Sequence, residues 1–294
     1  MANLKEVRNR ITSVSSTQQI TKAMKMVAAA KLKRATNAIV QLRPYANKLR
    51  DILAEVSASV EGSESPYTQD RIPTKVLIVV LTSNRGLAGA FNANAIKAAN
   101  ALIADKYADQ FALGNVSIIA IGKRGHDFFE KRGFTVIGNN HELFAQLNFE
   151  NVSKVTQQIM ESYKSGEIDR VEVVYNEFRN AAVQVLTSEQ ILPLLPADKA
   201  ADVKVQEVDY ISEPSKDKII EELIPKAIKI QLFKAVLDSN ASEHGARMTA
   251  MDKATENAGD LLKALKLSYN QARQAAITTE LTEIVSGAAA LSNG

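Results

Sequence analysis

Few residues of this 294-residue chain combine the types and the spacing that catalysis requires. Glu280 and Glu283 lie three positions apart on one predicted helical face, and Glu221 and Glu222 are adjacent. Paired carboxylates serve as general acid and base, but on exposed helices they are more often solvated or paired with a neighbouring cation. No nucleophile can be matched with a base from the sequence. We therefore expect a chain that has no active site of its own.

Metal and thiol chemistry have equally little support. The histidines His126, His141 and His244 are isolated in the sequence and lack metal-ligand spacing, so we expect ordinary surface or cap residues and no bound metal. The chain contains no cysteine, which excludes disulfides, thiolate catalysis and cysteine metal sites.

A phosphate site is the remaining chemical candidate. Residues 83–90, SNRGLAGA, follow an apolar run and open a predicted helix, where backbone N–H groups could cradle a phosphate. The segment is not GxGxxG, and no Walker-type motif occurs in the chain. A tight strand-to-helix turn needs glycine for its backbone angles alone, so we favour that interpretation and predict no cofactor. The same holds for GKRG at 122–125, whose two cations could dock a partner.

Two long helices frame these residues. The C-terminal one is predicted over residues 225–285, about 90 Å at the usual rise per residue. Apolar or small residues recur in it at spacings of three and four, which is the seam of a coiled coil. The seam comprises Met248, Met251, Thr255, Ala258, Leu262, Leu265, Tyr269, Ala272, Ala276 and Thr279.

The N-terminal helix, predicted over residues 3–57, is the natural partner. Its seam begins with Leu4, Val7, Ile11 and Val14 and is expected to slip at Gln18, where an apolar residue should stand. A second seam is predicted at Ile20, Met24, Val27, Leu32, Ala35, Ile39 and Leu42. Pro44 is expected to kink or restart this helix.

Between the helices the periodicity changes. Strands are predicted at 76–81, 116–122, 134–138, 171–178, 181–191 and 203–211, with helices after the first three, the last of these at 151–165. The predicted fold class is α/β: a long antiparallel coiled coil of the N- and C-terminal helices, residues 1–60 and 213–294, with a small open, Rossmann-like α/β domain, residues 75–212, inserted between them.

The net charge of +3 conceals a local excess, because residues 4–34 carry eight basic side chains and one acid, Glu6. A basic helical face could meet nucleic acid, anionic lipid or an acidic protein surface, and it could equally be a solvated face. The lack of interleaved aromatic residues argues against single-stranded nucleic acid. No apolar run is long enough to span a membrane, and the N-terminus does not resemble a secretion signal.

Several segments resemble the gamma subunit of the F-type rotary ATP synthase, and the resemblance covers the whole chain. They are 20–35 (ITKAMKMVAAAKLKRA), 83–92 (SNRGLAGAFN), 246–261 (ARMTAMDKATENAGDL) and 269–278 (YNQARQAAIT), together with Ile277, Thr278, Glu280, Glu283, Gly287, Ala288 and Ala290. In that family redox control uses a cysteine pair in an insertion of the chloroplast form, which this chain lacks.

The resemblance implies a non-catalytic subunit of an enzyme complex. The paired helices would form the central shaft inside three alpha and three beta subunits, with the α/β domain against the epsilon subunit and the c-ring. Ion flow through the ring would turn the shaft, which drives ATP synthesis in the beta subunits and runs backward on hydrolysis. The membrane association would be indirect, through the c-ring, on the cytoplasmic face of a bacterial inner membrane.

The resemblance also implies three groups of partner contacts. Lys22, Met24 and Lys25 would face the beta subunits, Glu243 and Arg247 would approach an acidic beta loop, and Arg273, Gln274, Thr278 and Glu280 would be gripped near the top of the shaft. Two rival hypotheses stay open: a coiled-coil scaffold that binds a ligand at residues 83–89, and a rod that binds duplex nucleic acid through its basic N-terminal face.

Overall fold

The computed structural model describes residues 4–58, 65–194 and 216–292. Its helices are α1 (Leu4–Ala58), α2 (Phe91–Lys106), α3 (Ala108–Ala112), α4 (Lys123–Glu130), α5 (Phe149–Lys164) and α6 (Lys216–Ser292), with a short 3-10 helix at His141–Phe144. Its strands are β1 (Val76–Leu81), β2 (Val116–Ile121), β3 (Thr135–Val136), β4 (Arg170–Phe178) and β5 (Gln184–Leu192).

The five strands form one sheet in the order β3-β2-β1-β4-β5. The first four run parallel, and β5 pairs antiparallel with β4 as a hairpin. Every residue of β1 is buried because helices cover both faces of the sheet, which explains its uninterrupted apolar run. The α2 side of the sheet packs Ile78, Val80 and Ile118 against Ile96 and Ile103.

The other face of the sheet packs against α5 and parts of α1 and α6. Its core includes Leu77, Val79 and Val173 of the sheet together with Ile228 and Leu232 of α6. The long helices are therefore tied to the sheet by apolar contacts. The predicted fold class is confirmed, as are the strands predicted at 76–81, 116–122, 134–138, 171–178 and 181–191. The strand predicted at 203–211 lies outside the described residues.

The chain divides into two compact units, each containing part of α1 and part of α6. Unit 1 consists of residues 1–28 and 248–294, and unit 2 of residues 29–247. The segment limits predicted from the sequence, 1–60, 75–212 and 213–294, stay a prediction.

The pairing of the helices in unit 1 is antiparallel. Thr21 meets Thr255, whereas Lys25, further along α1, meets Asp252, which comes earlier on α6. The predicted seam of α6 is confirmed from Met248 to Ala276, where each of its residues is buried or half-buried. Thr279, the last predicted member, is exposed.

The slip predicted at Gln18 is wrong. The α1 positions that are buried or half-buried in unit 1 include an unbroken three-four series, namely Leu4, Val7, Ile11, Val14, Gln18, Thr21, Lys25 and Ala28. Ile20 and Val27, placed in the seam by their apolar side chains, are 59% and 58% exposed. The seam accepts polar residues here because they find partners: the Gln18 amide donates to the Thr255 carbonyl oxygen at 3.4 Å, and Thr255 donates to the Thr21 hydroxyl at 2.8 Å.

Neither proline inside the long helices ends its helix. Pro44 lies within α1, which does not restart there. Pro225, predicted as the first residue of the C-terminal helix, lies inside α6, which begins at Lys216. A proline is favoured in the first turn of a helix, so the sequence could not distinguish a start at Pro225 from an interior proline.

Candidate functional site

The nine predicted contact residues lie on α1 and α6, and the structure gives them different surroundings. Of the first group, Lys22 is exposed, whereas Met24 and Lys25 are half-buried. The Lys25 ammonium group forms an ion pair with Asp252 Oδ1 across the two helices of unit 1. Lys25 therefore already has a partner within the chain, while the charge of Lys22 faces solvent.

The second group, Glu243 and Arg247, is directed inward within unit 2. Their side chains form an ion pair of 2.7 Å one helical turn apart and are only 12% and 11% exposed. Arg247 Nη1 also donates to the carbonyl oxygen of Gly86, and Nη2 donates to that of Arg85 at 3.2 Å. Arg247 thus fastens α6 to the loop that follows β1. Apart from the resemblance, the sequence signal for this pair is the four-residue spacing of acid and base.

The third group is on the outside of α6. Arg273, Gln274, Thr278 and Glu280 are all exposed. Over the residues that the structure describes, their side chains make no hydrogen bond or ion pair within the chain. They are therefore available to a partner, whereas Glu243 and Arg247 would first have to break their internal contacts.

The last turns of α6 are exposed. Every residue from Ile277 to Ala289 is exposed. Apolar or small side chains in this part keep heptad spacing, as a stripe of Ile277, Leu281, Ile284, Ala288 and Leu291. Val285 lies beside the stripe and is 66% exposed. An exposed apolar stripe of this length is typical of a surface that meets another protein.

The loop at residues 83–90 uses several of its polar groups within the chain. The Ser83 N–H donates to Asn92 Oδ1 at 2.8 Å, and the Lys123 N–H donates to Asn84 Oδ1 at 3.0 Å. The loop presents carbonyl oxygens to the Arg247 guanidinium, whereas a phosphate requires free N–H donors. The glycine at position 122 is explained by packing, since a Cβ there would lie 2.1 Å from the carbonyl oxygen of Thr82 at a φ of +111°.

The histidines are less ordinary than predicted. The rings of His126 and His141 are in edge contact, with centroids 4.8 Å apart, so these two are not isolated. Burial lowers the pKa of His244 to about 4, and the positive charges of Lys31 and Arg247 add to the effect. In the part of the chain that the structure describes, no three His, Cys, Asp or Glu side chains group closely enough to hold a metal ion.

A buried carboxylate on α6 was missed by the sequence analysis. Asp238 is fully buried, and burial raises the pKa of its carboxyl group. Arg43 of α1, at 3.4 Å, opposes that rise, as does the positive charge of Lys234. Only the opposite charges at positions 43 and 238 could have suggested this pair, and nothing in the sequence aligned the two positions.

None of the described helices combines the length and the apolar character needed to cross a membrane.

The chain is similar over its whole length to proteins of one family. A family model described as ATP synthase matches residues 3–291. The chain is 56% identical over 295 residues to the ATP synthase gamma chain of Cytophaga hutchinsonii, with 100% of both chains covered. It is 54% identical over 292 residues to the gamma chain of Flavobacterium psychrophilum, with 99% of each covered.

Two solved structures are similar in fold. The rotor of Euglena gracilis mitochondrial ATP synthase in rotational state 1 matches with a TM-score of 0.65 and 23% identity, over 93% of this chain and 98% of that one. A chain of the Euglena OSCP/F1/c-ring assembly in rotational state 3 matches with a TM-score of 0.66 and 22% identity, over 98% and 94%.

Proposed function

Since this chain belongs to the ATP synthase gamma family, we propose that it is the central rotor shaft of an F-type ATP synthase. It couples ion-driven rotation of the membrane c-ring to the conformational cycle of the catalytic beta subunits, in synthesis and in reverse during hydrolysis. The chain itself carries out no catalysis and holds no cofactor. Its partners are the alpha and beta subunits, the epsilon subunit and the c-ring.

The observation that carries this proposal is the change along α6 after Ala276. From Met248 to Ala276 its seam residues are buried or half-buried, and from Ile277 to Ala289 every residue is exposed. A stiff paired segment suits torque transmission, and an uncharged apolar stripe at its end suits a bearing enclosed by other subunits. No basic residue occurs after Arg273, so the end of α6 offers no cation for a salt bridge to another subunit.

Coupling needs contacts that differ between the states of a partner, because equal affinity for all states shifts no equilibrium. Such contacts would be made by exposed side chains of α6, namely Arg273, Gln274, Thr278 and Glu280. On α1 they would be made by the exposed Lys22 and the half-buried Met24 and Lys25. Glu243 and Arg247 meet a beta loop only by exchanging part of their internal contacts for external ones. We place the protein at the cytoplasmic face of a bacterial inner membrane, held there through the c-ring.

The two rival functions have less support. The loop at 83–90 uses the Ser83 N–H and the carbonyl oxygens of Arg85 and Gly86 within the chain, which leaves less of it for a nucleotide. The basic N-terminal segment offers less charge to nucleic acid than its composition suggests, because Arg10 pairs with Glu6 at 3.1 Å and Lys25 pairs with Asp252.

The test is ATP hydrolysis by purified alpha and beta subunits with and without this chain, together with a sizing column. A rotor shaft should be inert alone, elute in one large complex with both subunits and raise their turnover. A chain that elutes separately and leaves turnover unchanged would sink the proposal. Nucleotide binding by the isolated chain, or salt-dependent binding to duplex DNA, would favour one of the rivals.

A further inference from the structure

Helix α1 has a weak point within unit 2. Pro44 lies inside it and has no N–H group to donate to the preceding turn, and its ring crowds the carbonyl of the residue four positions earlier. Such a proline usually bends a helix or allows it to hinge. The helix nevertheless runs on to Ala58.

The residue next to this point bridges three elements. Arg43 Nη2 donates to the carbonyl oxygen of Phe178, the last residue of β4, at 3.1 Å. The same nitrogen lies 3.4 Å from Asp238 Oδ1 on α6. One guanidinium group therefore ties α1 to the sheet and to the second long helix, at the position where α1 is least able to support itself.

Stability alone does not explain this pair. The Asp238 side chain is 0% exposed, whereas that of Arg43 is 44% exposed. Asp238 Oδ2 has no hydrogen-bond partner among the described residues. The other charged groups that act on this carboxyl are Lys234 and Glu177, of opposite sign. Burying a carboxylate costs much of what the ion pair returns, so a pair of this kind often contributes more to geometry than to free energy.

We propose that Arg43 is a positioning residue that braces α1 against bending at Pro44, so that β4 and the parts of α1 and α6 in unit 2 turn as one body under load. This rests on the proposed function of the chain as a shaft. A shaft that bends at Pro44 would lose part of each rotational step instead of passing it on. Hydrolysis of ATP would continue, but fewer ions would be moved for each ATP consumed.

The experiment uses the complete complex in lipid vesicles and measures ATP hydrolysis and ATP-driven ion pumping in the same preparation. The principal variant is R43Q/D238N, because removing Arg43 alone would leave an unpaired buried carboxylate and could prevent folding. It is compared with the triple variant R43Q/D238N/P44A, which also restores a regular helix at position 44. P44A alone is the control.

The brace predicts that R43Q/D238N keeps its hydrolysis rate but pumps fewer ions per ATP, by about twofold or more. Adding P44A should restore the ratio, and P44A alone should behave as the natural sequence. Amide hydrogen exchange at residues 40–46, measured in the complex, should rise in R43Q/D238N and return in the triple variant.

Two results would overturn the brace. One is an unchanged pumping ratio in R43Q/D238N. The other is a reduced ratio that P44A does not repair, which would mean that Arg43 acts independently of the proline. A natural-sequence complex that hydrolyses ATP without pumping would instead count against the shaft function, so the two failures are distinguishable.

Discussion

The hydroxyl group of Thr255 donates a hydrogen bond of 2.8 Å to the hydroxyl oxygen of Thr21, inside the seam between α1 and α6. The Thr21 hydroxyl also donates to the carbonyl oxygen of Gln18 at 3.0 Å, and the Gln18 amide reaches the Thr255 carbonyl oxygen. Gln18, Thr21 and Thr255 thus form a polar layer within the otherwise apolar seam. A Cβ on residue 259 would lie 3.0 Å from the Gln18 amide nitrogen. The glycine at this position therefore provides the space that the Gln18 amide occupies.

The polar layer predicts a coupled pair of threonines. Replacing Thr21 or Thr255 by valine should each lower the free energy of unfolding by about 1 kcal/mol, because a hydroxyl partner is lost from a buried or half-buried position. The double variant should lose less than the sum of the two, and urea denaturation of the full chain measures all three. Strictly additive losses would show that the 2.8 Å contact contributes nothing to stability.

Arg247 and Arg273 provide a matched comparison between an internal and an external arginine. Arg247→Ala should lower the free energy of unfolding by about 2–3 kcal/mol, because it removes the Glu243 partner and two bonds to loop carbonyls. Arg273→Ala, at an exposed position, should change it by less than about 0.5 kcal/mol. Equal effects in urea denaturation would contradict the internal role of Arg247.

Arg273 should matter in the complex rather than in the isolated chain. Arg273→Glu reverses the charge of an exposed side chain, so we expect lower ATP hydrolysis and lower ion pumping with unchanged folding, and Arg273→Lys should be milder. Both activities are measured on complexes of equal subunit content. Unchanged hydrolysis and pumping in Arg273→Glu would remove this residue from the proposed contacts.

The stability of the chain should depend on His244 in acid. Its pKa is lowered from 6.5 to about 4 in the folded chain, so the unfolded chain binds the proton more readily between these values. The stability linked to the neutral His244 ring is fully present above about pH 6.5 and is lost as the pH falls toward 4. The loss in the free energy of unfolding is on the order of 2 kcal/mol after allowance for partial solvent screening.

The variant His244→Gln removes this titration. The free energy of unfolding of the natural sequence minus that of the variant should fall as the pH falls from 7 to about 4. The reason is that only the natural chain loses stability through this group. Urea denaturation at several pH values gives the difference directly. A difference that stays constant over this range would mean that the His244 pKa is not lowered by folding.

The end of α6 should be dispensable for folding and needed for coupling. Ending the chain at Ala276 removes residues that are exposed from Ile277 to Ala289, so the thermal midpoint of the isolated chain should hardly change. Complexes containing the shortened chain should pump fewer ions per ATP, since the proposed bearing and contacts at Thr278 and Glu280 are gone. Normal pumping would reject the bearing role, and a large loss of stability would reject the exposed position of this segment.

Local pattern was sufficient for the elements and for one seam. The apolar runs at 76–81 and 116–121 are strands because a sheet covered on both faces needs apolar side chains at every position. The spacing from Met248 to Ala276 predicted the buried stripe of α6, since residues three and four apart share a face of any helix. These outcomes depend on side chains close in sequence, so no knowledge of the partner was needed.

The tertiary structure decided which polar groups belong inside. Gln18 and Thr21 enter the seam, and Ile20 and Val27 leave it, because hydrogen-bond partners for the polar pair stand on α6, more than two hundred residues away. Arg247 reaches the carbonyl oxygens of Arg85 and Gly86, and Arg43 reaches Asp238, for the same reason. The sequence by itself determined which segments form helices and strands, through the periodicity of apolar side chains. Only the assembled fold decided where buried charges and amides lie, because the desolvation of a polar group is offset only by a partner that folding brings to it.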